Sequence, residues 1–230
     1  MNLLSTFLNV LNVQSNGKDS VLWLSHHIPK TAGTSLKLGY TQVFGARAVK
    51  HLYSPDEVKV VGSGDGIRVP YGTQILHGHF HAHPEHTRLY PKAKRIVWVR
   101  DPVERAWSLL GHLLAVQQEK QEYQIILEEF GDKVEENKLD VFEFFLTHPR
   151  LRVLNRPYQN HFSKVPISDF HFVGKTHQYA TDLKRLSNLM GVDIPLLEKN
   201  VRASGQGLPS DRTLYKQLLE DEYNIVENYL

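Results

Sequence analysis

Short apolar runs alternate along the chain with apolar residues at helical spacing. Val21-Leu22-Trp23-Leu24 is a continuous apolar run with a turn signal soon after at Pro29, the pattern of a buried strand. Leu36, Tyr40, Val43 and Phe44 then recur at helical spacing, and Gly45 stands where such a helix would end. The glycines at 62, 64, 66 and 72 make residues 58–72 read as an irregular stretch with a hairpin. Gln74-Ile75-Leu76, Arg95-Ile96-Val97-Trp98-Val99 and the stretch from Phe170 to Val173 predict three further strands. Asp101, Pro102 and Glu104 supply the N-cap, N1 and N3 positions of a helix. Its apolar stripe is Val103, Ala106, Trp107, Leu110, Leu113 and Leu114, and Arg105, Ser108 and His112 fall on the opposite face. Residues 117–160 read as mostly helical and charged. A helix with Leu183, Leu186 and Leu189 on one side follows, and a last one runs from Asp211 to Tyr229. This alternation predicts an α/β domain with a mainly parallel central sheet flanked by helices, whose ligands would bind at the carboxyl ends of the strands.

Composition narrows this picture. A chain of 230 residues is one domain, 1–230, long enough to bury a substantial core. The charge balance, 27 − 25 = +2, is too even for a dedicated nucleic-acid coat. The absence of cysteine excludes a disulfide framework, a thiolate metal site and a cysteine nucleophile. No apolar run reaches the ~18 residues of a membrane span. Residues 1–14 are apolar, with Leu4, Phe7, Leu8 and Leu11 at helical spacing, but they lack a basic leader and are broken by Asn9 and Asn12. A short N-terminal docking helix on a soluble, cytoplasmic protein is the expectation, with the oligomeric state left open. Histidine is the outlier, with thirteen in the chain and five of them between His77 and His86.

Two of the expected strand-to-helix junctions carry anion-binding chemistry. The first reads His27-Ile28-Pro29-Lys30-Thr31-Ala32-Gly33-Thr34-Ser35. Small residues at a helix N-terminus let backbone N–H groups approach a phosphate or sulfate, with Lys30 adding charge and Thr31, Thr34 and Ser35 adding hydroxyls. It is not a Walker A loop, because Lys30 precedes Gly33 instead of following it. The plain alternative is a βα turn capped by Thr34 with Lys30 on the surface. The second junction is Arg100-Asp101-Pro102-Val103-Glu104-Arg105-Ala106-Trp107-Ser108. Here Arg100 can meet a phosphate bidentately and Ser108 can add a hydroxyl. The plain alternative is an Arg–Asp ion pair beside a capped helix.

Together, IPKTAGTS and VRDPVERAWS resemble the paired cofactor motifs of sulfotransferases that use 3′-phosphoadenosine 5′-phosphosulfate (PAPS). The resemblance is nearest to the family-2 type, which includes uronyl and heparan sulfate 2-O-sulfotransferases. It implies a P-loop-like nucleotide-binding fold. Lys30, Thr31, Ala32, Gly33, Thr34 and Ser35 would cradle the 5′-phosphosulfate, and Arg100 and Ser108 the 3′-phosphate. Phe172-Val173-Gly174-Lys175-Thr176, with Asp182 and Leu183 beyond, resembles the family's later strand-loop-helix. The stretch from Asn200 to Gly205 corresponds to the loop that closes over the nucleotide, which makes Arg202 and Ser204 cofactor contacts. The acceptor implied is a hydroxyl, with carbohydrate as the class the relatives take. Those relatives are membrane-anchored in the Golgi, whereas this chain shows no span, so a soluble, bacterial-type member is expected.

His77-Gly78-His79 stands where the family-2 relatives carry a His-Gly-His whose second histidine is the general base. By that match His79 is the base and His77 an accessory, with Lys30 stabilising charge on the leaving phosphate. No metal is required. Two alternatives remain. His81-Ala82-His83-Pro84-Glu85-His86 is close to the H-x-H-x-D-H of dinuclear metallo-β-lactamase-type hydrolases. Period-2 spacing would put His77, His79, His81 and His83 on one strand face as zinc ligands. The other alternative is a nucleotide- or anion-binding module that keeps the pocket without turnover. In the sulfotransferase assignment, His81, His83 and His86 are loop residues near an anionic ligand or on the plain surface, His27 is a packed strand-end residue, and Lys92, Lys94 and Arg95 form a solvated basic edge.

Overall fold

The computed structural model describes residues 17–197 and 207–230. In chain order the elements are β1 (Trp23–His26), α1 (Gly33–Phe44), β2 (Val49–Leu52), α2 (Pro55–Gly62), β3 (Ile75–Gly78), α3 (His86–Leu89), β4 (Lys94–Val99), α4 (Pro102–Val116), α5 (Gln121–Phe130), α6 (Lys138–Thr147), α7 (Arg152–Asn155), α8 (Pro157–His161), β5 (Phe172–Lys175), α9 (Tyr179–Met190), α10 (Thr213–Leu218) and α11 (Glu220–Val226). Among the described residues the strands form one five-stranded sheet in the order β2-β3-β1-β4-β5, and every neighbouring pair is parallel. The chain fills the β2 and β3 side first and then crosses to β4, so the sheet reverses its winding at β1. That is where open parallel sheets hold ligands.

β1, β3 and β5 run further toward their carboxyl ends than the apolar runs that announced them. In β1 and β3 these added residues include polar ones that are buried: Ser25, His26 and His77 are all under 4 % exposed. β2 gave no apolar signal, because its central Lys50 and His51 are half-buried on an edge strand. The hairpin expected within 58–72 does not form. Residues 55–62 are α2, started by Pro55 at N1, and an irregular stretch follows it.

One face of the sheet packs Trp23, Ile75, Ile96 and Trp98 against Leu36 and Tyr40 of α1 and Leu183 and Leu186 of α9. Trp98 lies over Gly174 of β5, where a Cβ would fall 2.6 Å from the indole. The other face packs Leu24 and Leu76 with Phe80 and Tyr90, and Val97 and Val99 with Tyr158 and Phe162. A separate helical core joins α4, α5, α6 and α10 through Leu110, Leu113, Ile126, Phe142, Phe145 and Tyr215. The expected last helix is two, α10 and α11, broken at Leu219. Leu189 is 39 % exposed and does not join Leu183 and Leu186 in the core. The N-terminal helix expected over 1–14 lies outside the described residues, as do Arg202 and Ser204.

Candidate active site

The loop after β1 is held in an uncommon backbone conformation. Lys30 and Ala32 have φ of 73° and 65°, left-handed values that cost a non-glycine residue on the order of 1 kcal/mol each. Thr31, between them, is buried and anchors the turn by donating its hydroxyl to Ile28 O at 2.8 Å. Ala32 is the N-cap of α1, with no side-chain cap, so the Thr34 cap of the plain alternative does not form. The first intrahelical bond runs from Leu36 N–H to Ala32 O. The N–H groups of Gly33, Thr34 and Ser35 thus have no acceptor within the helix, and all three residues line a cleft of about 1640 Å³ together with Pro29, Lys30 and Ala32. Alternating backbone handedness ahead of a helix N-terminus forms a concave nest of N–H groups suited to an anion. Gly33 cannot be replaced without movement, because a Cβ would sit 2.0 Å from the His27 imidazole.

The loop after β4 is built differently. Asp101 caps α4 by accepting the Glu104 N–H at 3.0 Å, and its other oxygen accepts the Tyr223 hydroxyl at 2.7 Å. Tyr158 clamps the Arg100 backbone, accepting its N–H at 2.8 Å and donating to its carbonyl at 2.6 Å. The Arg100 guanidinium lies 3.6 Å from Glu104, which also meets Arg212 at 3.1 Å. Arg100 and Ser108 both line the cleft. Arg105 departs from expectation. The sequence places it with Ser108 and His112 on a solvated face, whereas it is 1 % exposed, because α7 and α8 cover that side of α4.

The third element is the end of β3. Gly78 lets β2 approach, since a Cβ there would fall 1.9 Å from Leu52 O, and the His79 N–H then donates to that same carbonyl. His77 is fully buried and does not line the cleft. Its Nε2 meets Gly33 O at 3.3 Å and its Nδ1 meets Ser25 Oγ at 2.9 Å. A carbonyl only accepts, so Nε2 carries the proton and Nδ1 receives the serine hydroxyl. Burial pushes the His77 pKa down to about 3, so this imidazole is a neutral strut joining β1, β3 and the first turn of α1.

His79 does line the cleft. Its ring lies 4.6 Å from His27 and 4.7 Å from Tyr53, centroid to centroid, and the Tyr53 hydroxyl bonds His27 Nδ1 at 3.0 Å. Burial, helped by Lys120, lowers the His79 pKa to about 4. His27 is therefore more than a packed strand end. It walls the cleft, seats Gly33 and backs His79.

The remaining histidines do not form the face that a metal hydrolase would need. β3 stops at Gly78, and His77 is committed to Ser25 and Gly33. His86, expected on a loop or the surface, is fully buried with Nε2 donating to Val61 O at 2.8 Å, and His83 Nδ1 accepts the Glu85 N–H at 3.2 Å. Among the described residues no group of three or more metal-ligating side chains comes together. Arg95 is not at a solvated edge, since β4 lies inside the sheet and the guanidinium bonds His83 O and Thr87 Oγ1. Sequence reasoning also missed His161, a buried histidine at the cleft wall whose ring lies 4.3 Å from that of His81.

No family model matches the chain, and no curated protein matches it in sequence. Solved structures do match it. A sulfotransferase from Alicyclobacillus acidocaldarius superposes over 90% of this chain and 93% of its own, with a TM-score of 0.50 at 13% identity. The fold is that of a sulfotransferase. A mouse sulfotransferase complexed with PAP covers 96% of this chain and 90% of its own at 14% identity, but its TM-score of 0.39 is too low to add to this.

Proposed function

We propose that this chain is a sulfotransferase of the family-2 type that moves a sulfuryl group from PAPS to an acceptor hydroxyl. One observation carries the proposal. Three adjacent strands, β3, β1 and β4, deliver His79, the Lys30–Ser35 loop and Arg100 to a single cleft. Two anion sites of different build, one of backbone N–H groups and one of guanidinium and hydroxyl, suit a nucleotide with two separate charged groups. The Gly33–Ser35 N–H groups and Lys30 would hold the 5′-phosphosulfate, with Thr31 and Ala32 fixing the loop. Arg100 and Ser108 would hold the 3′-phosphate, joined by Arg202 and Ser204.

The co-substrate supplies a sulfuryl group bound to a phosphate leaving group. Lys30 places positive charge where that phosphate gains negative charge. His79 is neutral at pH 7 and takes the proton of the attacking hydroxyl. Its pKa of about 4 makes it a weak base in the free protein, and an anion held beside it raises that value. His77 serves as a positioning residue through Gly33 and Ser25, where the family match implies an accessory role. The acceptor class, carbohydrate among the relatives, rests on the motif resemblance alone. A soluble, cytoplasmic setting is an expectation from the composition of the sequence and not from the resemblance, whose relatives are membrane-anchored. For its part, no helix among the described residues is long and apolar enough to cross a membrane.

Thermal unfolding with 3′,5′-bisphosphoadenosine (PAP) and with 5′-AMP tests the site. PAP at a hundredfold excess over Kd should stabilise the fold by about 2.7 kcal/mol, and AMP much less. Equal responses would remove the 3′-phosphate assignment. His79→Gln should abolish transfer from PAPS while retaining PAP binding. PAP binding by the wild type without transfer to any hydroxyl acceptor would favour the non-catalytic module.

A further inference from the structure

Arg105 is 1 % exposed and lines the cleft, yet only one of its nitrogens is used, Nη2 donating to Leu154 O at 2.9 Å. Among the described residues its Nε and Nη1 are buried without partners and it forms no ion pair. The nearby buried carboxylate, Glu222, spends its two oxygens on the N–H groups of Tyr158 and Gln159, at 3.0 and 2.8 Å. An unpaired guanidinium taken out of water is costly unless an anion completes it. Beside it stands His161, 6 % exposed and also at the cleft wall. The Nδ1–H of His161 donates to Pro157 O at 2.9 Å, which leaves Nε2 as a buried lone pair without a donor. The His161 ring lies 4.3 Å from that of His81, which lines the cleft together with the proposed base His79.

We propose that Arg105 and His161 form an acceptor subsite for a hydroxy acid: Arg105 binds its oxyanion, and His161 Nε2 accepts a hydroxyl of the same molecule. The subsite deepens the sulfotransferase proposal, on which it rests for the word acceptor. The two side chains offer complementary halves of one recognition unit, donors on one and an acceptor on the other. A neutral alcohol would leave the guanidinium unanswered, and an acid without a hydroxyl would leave the imidazole unanswered.

Saturation-transfer NMR on the PAP-saturated protein, with D-glycerate, glycerol and propionate as probes, tests this. Glycerate should bind about tenfold more tightly than either control. Arg105→Gln should lose glycerate binding and keep PAP affinity. His161→Phe should bring glycerate down to the propionate level. If Arg105→Gln does not fold, Arg105→Lys, which keeps the charge without the fork, should weaken glycerate about fivefold or more. Glycerate binding no better than glycerol, or unchanged in both variants, overturns the subsite. So does a loss of PAP affinity to the 5′-AMP level in Arg105→Gln, which would assign this guanidinium to the 3′-phosphate. Glycerate binding to a wild type that takes no PAP would sustain the subsite while ending the PAPS assignment.

Discussion

The two strand-to-helix junctions of the cleft solve the same problem in opposite ways. After β1 the chain adopts left-handed conformations at Lys30 and Ala32 and leaves the first N–H groups of α1 without a side-chain cap. The junction after β4, residues 100–102, has no positive φ, and Asp101 and Pro102 finish the start of α4 internally. The first junction is held from outside by His77 on Gly33 O, and within the turn by Thr31 on Ile28 O. The second starts its helix with its own Asp101 cap, and Tyr158 and Tyr223 brace it from outside. A helix start that keeps its N–H groups open must be stabilised from elsewhere, whereas a capped start leaves ligand binding to side chains, the role proposed for Arg100 and Ser108.

Acid should break this contrast most strongly. His77 and His161 titrate at about 3 when folded and near 6.5 when unfolded. Between those values the unfolded chain binds more protons, so their stability contribution is complete above 6.5 and lost as pH falls toward 3. Each costs roughly 1.4 kcal/mol per pH unit, so moving from 6.5 to 4.5 removes roughly 5 kcal/mol, comparable with a whole domain's stability. Urea unfolding across that range should show the decline, and a flat profile would mean these imidazoles are not buried neutral.

Within the first junction, Gly33→Ala forces a Cβ into His27 and should reduce kcat/KM about 1000-fold or more, at a stability cost of about 1–3 kcal/mol. Lys30→Ala and Arg100→Ala then separate the two proposed anion sites. The first should cut kcat about 100-fold or more. The second should narrow the preference for PAP over 5′-AMP about tenfold or more, measured by calorimetry. The smallest pair has opposite signs. Asp101→Ala should destabilise by about 1 kcal/mol through loss of its cap, and Ala32→Gly should stabilise by up to about 1 kcal/mol by relieving backbone strain. Matching signs would mean that both junctions are capped alike.

What the sequence revealed divides along the same line. The helix start of the second junction is readable to the residue, because Asp101, Pro102 and Glu104 act on their own neighbours. The first showed its composition but not its conformation, since nothing local announces a left-handed Lys30 or Ala32. β2 was invisible because an edge strand needs only Val49 and Leu52 buried. Arg105 was misplaced because helical periodicity identifies the face opposite the apolar stripe but does not show that other helices cover it. The histidine cluster misled in a similar way. Alternation along His77–His83 implied one strand face, yet β3 ends at Gly78, and the fold sends His77 and His86 inward and His79 and His81 to the cleft.

The order β3-β1-β4 also fixes a dimension. Neighbouring strands run about 4.8 Å apart and β4 extends two residues beyond the level of Gly78, so the ends that carry His79 and Arg100 stand about 12 Å apart whatever their loops do. The sheet acts as a gauge set by backbone hydrogen bonds. Loop substitutions can change which groups a ligand meets, but the separation between its two ends is fixed by strand order and is out of reach of point mutation.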